Sequence, residues 1–216
     1  MSETQLLSEP ATGLFGDAEV VLLDAGIFES FLEHAKAQYR KGRESAHSPD
    51  LPLHRPNSFG LLGGVLEGDA MVVKAFAFAG NVRAVDQAPL DEFKDNIVPQ
   101  FGKQYDDAER GFWCDSKDVL KIMRQFESAG LDLIGSIHLH PDWHRIGPAH
   151  ERGTQKLSEQ PSQMDEYLFR NAGWPLNIIC YLETRDDGIT HTYAAWRPAR
   201  ADDISGTAEE MTIRFF

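Results

Sequence analysis

The run Ile134-Gly-Ser-Ile-His138-Leu-His140-Pro141 leaves this chain few choices of local structure. Apolar residues alternate there with histidines at i and i+2, and successive side chains of a strand leave opposite faces. His138 and His140 therefore share one face while Ile137 and Leu139 pack into the other. Pro141 closes the strand. Two imidazoles converging on one point, joined by a carboxylate from elsewhere, make a three-ligand set with one coordination position open. That is the layout of a catalytic zinc rather than a structural one. Ser162-Gln-Met-Asp165 downstream offers such a carboxylate. The plain alternatives are two ordinary strand histidines and a serine N-cap followed three residues later by an acid. The capping reading is compatible with ligation, because the cap fixes the helix whose first turn holds out Asp165. On that reading the Ser162 hydroxyl stays free to face a reacting carbonyl.

Periodicity places the rest. Residues 19–23 read as a short apolar strand, followed by a helix over 25–38 with Ile27, Phe28, Phe31, Leu32 and Ala35 on one buried face. Gly42, Pro49, Pro52 and Pro56 make residues 40–56 a loop. Residues 58–66 and 70–78 form a hairpin through Glu67-Gly-Asp69. After an irregular acidic stretch, Asp115 or Ser116 caps a helix to about Ala129, with Val119, Met123 and Phe126 inward and Gly130 at its end. A helix follows Ser162 and stops before Trp174-Pro175. Residues 178–183 and 189–196 pair around Arg185-Asp-Asp-Gly188, and the tail is polar from Ala201 until Met211-Thr-Ile-Arg-Phe-Phe216, which is expected at a sheet edge. No internal repeat is visible.

Gly135-Ser-Ile-His138-Leu-His140-Pro141 with Ser162-X-X-Asp165 resembles the JAMM (MPN+) motif of zinc metalloisopeptidases, the group of deubiquitinating enzymes and their bacterial relatives. Phe59-Gly-Leu-Leu-Gly-Gly64 is similar to the family's first core strand, and Trp174-Pro-Leu-Asn-Ile-Ile-Cys-Tyr181 to the strand after its Ser-X-X-Asp helix. The resemblance runs from about Val20 to Trp196. It implies a three-layer α/β domain of the MPN (cytidine-deaminase-like) kind, a curved and mainly antiparallel sheet with helices on both sides. It implies zinc held by His138, His140 and Asp165, with Ser162 stabilising the tetrahedral oxyanion. The implied reaction is hydrolysis of the bond after the C-terminal glycine of a ubiquitin-like protein. A compact chain without helical extensions is similar to bacterial-type members and implies a bacterial or phage-type pathway.

Two departures stand out. Twenty residues, 142–161, separate the proline from the serine where the family has six. They are read as an insertion beside the metal, with Trp143 and His144 facing substrate. Strict spacing would instead put Glu151 in the aspartate's place and Pro148, which cannot donate to an oxyanion, in the serine's; Glu151 and His150 are thus the alternative ligands. The second departure is Asn57, three residues before Gly60, where the family carries its catalytic glutamate. An amide hydrogen-bonds water but is neither acid nor base. Three readings follow: a catalytically impaired module that binds a ubiquitin-like partner or scaffolds a conjugation complex, a disabled variant, or a base from elsewhere such as Glu44. Glu67, ten residues along the strand at roughly 3.3 Å each, is too far. Another zinc amidase of the same fold is a further option.

Composition fits a single domain, residues 1–216, with a core over about 20–196: the 216 residues are 42% apolar and no Ser/Gly-rich linker divides them. A net charge of −13 argues against nucleic acid, whose phosphates are gripped by Lys and Arg clusters. It suits a solvated surface or a basic partner face. No run approaches the roughly 20 apolar residues of a membrane span. The start, Met1-Ser-Glu-Thr-Gln-Leu-Leu-Ser, does not read as a signal peptide. Cys114 and Cys180 form no C-x-x-C pair, so a reduced cytoplasmic compartment is expected.

Overall fold

A computed structural model describes residues 18–152, 156–186, 188–199 and 206–216. Residues 1–17, the middle of the 142–161 insertion, Asp187 of the last hairpin and residues 200–205 of the polar tail lie outside the described residues, and so do the readings made on them.

Seven strands, β1 (Val20–Leu23), β2 (Phe59–Glu67), β3 (Ala70–Phe78), β4 (Asp132–Pro141), β5 (Leu176–Arg185), β6 (Gly188–Arg197) and β7 (Glu209–Phe215), form one continuous wall. Their order is β1-β3-β2-β4-β5-β6-β7, and β7 returns to β1, so the wall is a closed mixed barrel. This corrects the open, curved, mainly antiparallel sheet of a three-layer MPN domain. Parallel seams join β1 to β3, β1 to β7 and β4 to β5. The C-terminal strand makes the closure. It is no edge: Met211 lies opposite Ala195 of β6, while Thr212 to Phe215 run beside Val20 to Leu23 of β1. A period of two shows which face a residue takes but not which strand lies beside it, so the alternation could not disclose the closure. Closing the ring satisfies the backbone groups that an open edge would leave unpaired.

Helix α1 (Ala25–His47) is longer than its periodicity suggested. Asp24 caps it, accepting from the Ile27 amide at 3.1 Å, and Phe28, Phe31, Leu32, Ala35 and Tyr39 pack into the main core with Val21, Leu23, Met71, Ile137, Leu139 and Cys180. Gly42 does not end it. A Cβ there would stand 2.3 Å from Pro56 Cγ, so the glycine lets the segment leading to Asn57 cross the helix closely. The acidic stretch is not irregular throughout. It winds through α2 (Gln87–Glu92), a π-helical turn (Phe93–Ile97), α3 (Val98–Phe101) and a 3-10 turn (Lys103–Tyr105). These turns bury Phe93 and Ile97 against Met164. Helix α4 (Ser116–Ser128), capped by Asp115, sets Ile122 and Phe126 on Leu61, whose neighbour Leu62 faces the main core. Two further helices, α5 (Trp143–Ile146) and α6 (Gln163–Ala172), flank the site. Among the described residues no helix is long and apolar enough to cross a membrane.

Candidate metal centre

Strand β4 lies inside the wall, with Phe59 of β2 opposite His138 on one side and Ile179 of β5 opposite it on the other. Ladders on both sides hold the backbone that carries the histidine pair. Ile137 and Leu139 are buried in the main core, leaving both imidazoles on the other face. Their Nε2 atoms stand 3.0 Å apart. Asp165, in the first turn of α6, brings Oδ1 to 3.5 Å from His138 Nε2 and Oδ2 to 3.4 Å from His140 Nε2. Four-coordinate zinc with bonds of roughly 2.0–2.1 Å has ligand–ligand edges of about 3.3–3.4 Å. The three groups thus converge to near those separations, the Asp165 contacts being made through both of its oxygens, and they could hold a metal ion.

The surroundings fix these side chains. His140 Nδ1 donates to the Ser158 carbonyl at 2.8 Å. A carbonyl can only accept, so Nδ1 carries the proton and Nε2 is left to face a metal. Asp165 closes a capping box with Ser162: its Oδ2 accepts from the Ser162 amide at 2.7 Å and from the Ser162 hydroxyl at 2.6 Å, while Ser162 Oγ accepts from the Asp165 amide at 3.2 Å. The serine hydroxyl is therefore not free to face a carbonyl, as the sequence suggested; its proton points at the aspartate. Burial pushes the Asp165 carboxyl up, but the two imidazoles outweigh it and hold the group well below the usual carboxylate range. Burial pushes His138 down. At His140 burial acts the same way, yet the Asp165 charge prevails and the imidazole ends above its ordinary value.

The other sequence candidates lie as follows. Asn57 precedes β2. The first pair of the β2–β4 ladder is Phe59 with His138, and the Leu139 amide donates to the Ser58 carbonyl at 3.0 Å, so Asn57 lies just before the stretch of β2 that runs beside the histidines. Glu44 is exposed on α1, not in a loop reaching the site. Trp143, expected to face outward into the site, is instead buried: it is 7% exposed, packs in the main core and donates from Nε1 to Glu151 at 2.8 Å. The first turn of α5 aims it inward. His144 beside it is half-buried, with Nδ1 lacking a hydrogen-bond partner. Glu151 is not a ligand either. It takes Arg55 Nη1 and Nη2 at 2.7 and 2.9 Å and Arg110 Nη2 at 2.7 Å, and the Arg55 hydrogen bond, foremost, brings its carboxyl down to about 2. His150 points outward, its side chain 78% exposed.

Two residues near the site escaped the sequence reading. Ser158 acts through its backbone carbonyl, which any residue supplies, so no side-chain signal marks it. Tyr105 lies in the stretch read as irregular. With Phe101, Ser162, Gln163 and Met164 it lines a pocket of about 90 Å³ beside the metal-ligand helix.

A closed mixed barrel whose wall carries a His-X-His pair facing a helix-borne aspartate is the class that fold and site define. No protein-family model and no curated protein matches the chain. Among solved structures it is similar to the solution structure of a protein from Salinibacter ruber, with 17% identity, 89% of this chain and 91% of that one covered, and a TM-score of 0.42.

Proposed function

We propose that this chain is a zinc-dependent amide hydrolase of the JAMM/MPN+ type that acts after the C-terminal glycine of a ubiquitin-like protein. The observation that carries the reading is the convergence of His138, His140 and Asp165 to within 3.0–3.5 Å of one another, in the order His-X-His-Pro and then Ser-X-X-Asp. Zinc held there would lower the pKa of an attacking water to about 7 and polarise the substrate carbonyl. In the net reaction the water oxygen bonds to the carbonyl carbon, the carbon–nitrogen bond breaks, and a proton passes to the leaving nitrogen. Asp165 contributes one negative charge against a divalent cation, and the Ser158 carbonyl keeps the His140 ring in the ligating orientation. If Asn57 takes the place of the family's glutamate, its amide can hydrogen-bond the water. It cannot carry the proton, so turnover by the chain as written is slow. Two thiols without a disulfide suit a reducing cytoplasm.

Asn57 also favours a second reading, a catalytically impaired module that binds the same ubiquitin-like partner. Zinc content and cleavage of a ubiquitin-like protein carrying a C-terminal amide reporter separate the two. The hydrolase reading expects one zinc per chain, lost in His138→Ala, and a rise of roughly 10²–10⁴-fold in cleavage for Asn57→Glu with little change in KM. Zinc retained by His138→Ala would refute the site. Zinc bound normally with no cleavage even in Asn57→Glu would leave the binding module as the function.

A further inference from the structure

We infer that Tyr105 is a hydrogen-bond donor of this centre, facing the oxygen of the reacting carbonyl or of any anion that enters beside the metal. The inference rests on the hydrolase reading and deepens it. Hydrolysis at this site puts negative charge on the former carbonyl oxygen, and a donor aimed at that oxygen is among the largest contributions a protein makes. The sequence gives that task to Ser162, but its hydroxyl proton is directed to Asp165 Oδ2 at 2.6 Å. Removing that bond would loosen a metal ligand as well as the cap of α6. The site therefore needs a donor that is not already engaged by a ligand.

Tyr105 is placed to be one. Tyr105 and Ser162 line the same pocket of about 90 Å³, together with Phe101, Gln163 and Met164. That is space for several waters or one amide group. The phenol senses the Asp165 charge and interacts with the Ser162 hydroxyl, and burial raises its pKa, so it is an un-ionised O–H donor.

The backbone under Tyr105 is held firmly. Gly102, at φ 112°, reverses the chain after α3, and the Tyr105 amide donates to the Gly102 carbonyl at 3.2 Å. Arg83 Nη2 donates to the Tyr105 carbonyl at 3.2 Å while its guanidinium lies 3.7 Å over the Phe93 ring. Arg83 is 2% exposed, and its Nε and Nη1 have no hydrogen-bond partner. Burying a cation without a bonded carboxylate is costly, and stacking on Phe93 offsets only part of that cost. Such an arrangement suits a residue that positions the Tyr105 turn rather than one that merely stabilises the fold.

The hydrogen bond asked of Tyr105 moves no proton to or from it: the carbonyl π pair shifts to oxygen as water adds, and the phenol O–H donates to that oxygen. The test uses cobalt(II)-loaded protein and acetohydroxamate, an anionic probe whose binding perturbs the visible cobalt spectrum. Tyr105→Phe keeps the ring in its pocket and removes only the hydroxyl. Cobalt affinity and the probe-free spectrum should be unchanged, while acetohydroxamate binds roughly 10–100-fold more weakly, the usual effect of losing a hydrogen bond to a charged group. In an Asn57→Glu background kcat should fall at least tenfold with KM unchanged. Equal acetohydroxamate affinity in Tyr105→Phe would overturn the inference and leave the metal centre standing. Failure of the unsubstituted chain to bind cobalt would overturn the hydrolase reading and this inference with it.

Discussion

Replacing Glu151 by glutamine should destabilise the fold in a strongly pH-dependent way while leaving the metal site intact. The carboxylate is 12% exposed and meets Arg55, 13% exposed, and Arg110, 19% exposed. Those contacts, the Arg55 hydrogen bond first, bring its pKa from an ordinary 4.5 to about 2. At about 1.4 kcal/mol per pKa unit, that depression corresponds to about 3 kcal/mol of stability at neutral pH. Glutamine keeps an acceptor for Trp143 Nε1, and Arg55 keeps Asp107 at 2.6 Å, so the loss should be nearer 2 kcal/mol than a fully stranded arginine would cause. For a chain of this size that is roughly 4–8 °C in Tm. A depressed carboxyl stabilises above its unfolded pKa and loses that contribution as pH falls through its folded one. The gap between the two proteins in urea unfolding should therefore be full above pH 4.5 and close towards about pH 2. Equal stability at pH 7, or a gap that persists unchanged at low pH, would refute the electrostatic account. Loss of zinc from a well-folded Glu151→Gln protein would place Glu151 among the ligands after all.

Zinc should raise Tm, and the rise should continue with the logarithm of free zinc beyond saturation. At a free concentration about 100-fold above Kd the expected stabilisation is about 2.7 kcal/mol, reversed by a chelator and absent in Asp165→Ala. Tyr39→Phe should cost about 1–3 kcal/mol by thermal unfolding, because Asp142, 0% exposed, loses the hydroxyl that donates to it at 2.5 Å and keeps the Thr184 amide at 3.1 Å and a longer ion pair to Arg145 at 4.0 Å. An unchanged Tm would mean that water replaces the phenol.

The legible parts of this chain were those in which chemistry and local geometry share a short span. His138 and His140 are two residues apart, so strand geometry alone puts them on one face. Ser162 and Asp165 are three apart, so a capping box follows from helix geometry, and the structure contains it. Gly130 and Gly173 end α4 and α6 with positive φ, as glycines after helical runs commonly do. What stayed hidden depends on contacts between distant segments. The β1–β7 pairing joins the two ends of the described chain, and nothing in the pattern of Val20 to Leu23 names its partner. Gly42 read as a helix stop because its reason for being glycine, Pro56, comes fourteen residues later. Trp143 read as a substrate contact because an aromatic in a long insertion has no periodicity to declare it buried. Tyr105 carries no motif at all.

The twenty residues between Pro141 and Ser162, an insertion only by the JAMM resemblance, are compatible with the convergence of His138, His140 and Asp165 because of where they are tied down. Extending a flexible spacer from six to twenty residues costs only about 1 kcal/mol of closure entropy, provided both ends are still held in place. Here they are. Asp142 at the near end accepts from Tyr39 and from the Thr184 amide, and Glu151 is pinned by two arginines. At the far end Glu159 accepts from Thr192 through its side chain and from Trp196 through its backbone, while Ser158 accepts from His140. Helix α6 then docks through Phe169 onto Ile179, Ala194 and Trp196, which fixes Asp165 independently of the number of residues before it. Spacer length is thereby uncoupled from ligand geometry. The same ties set what shortening this segment should do. A deletion that removes Ser158 frees the His140 ring to rotate, so zinc affinity should fall together with any substrate affinity. A deletion confined to residues 152–156 should spare zinc.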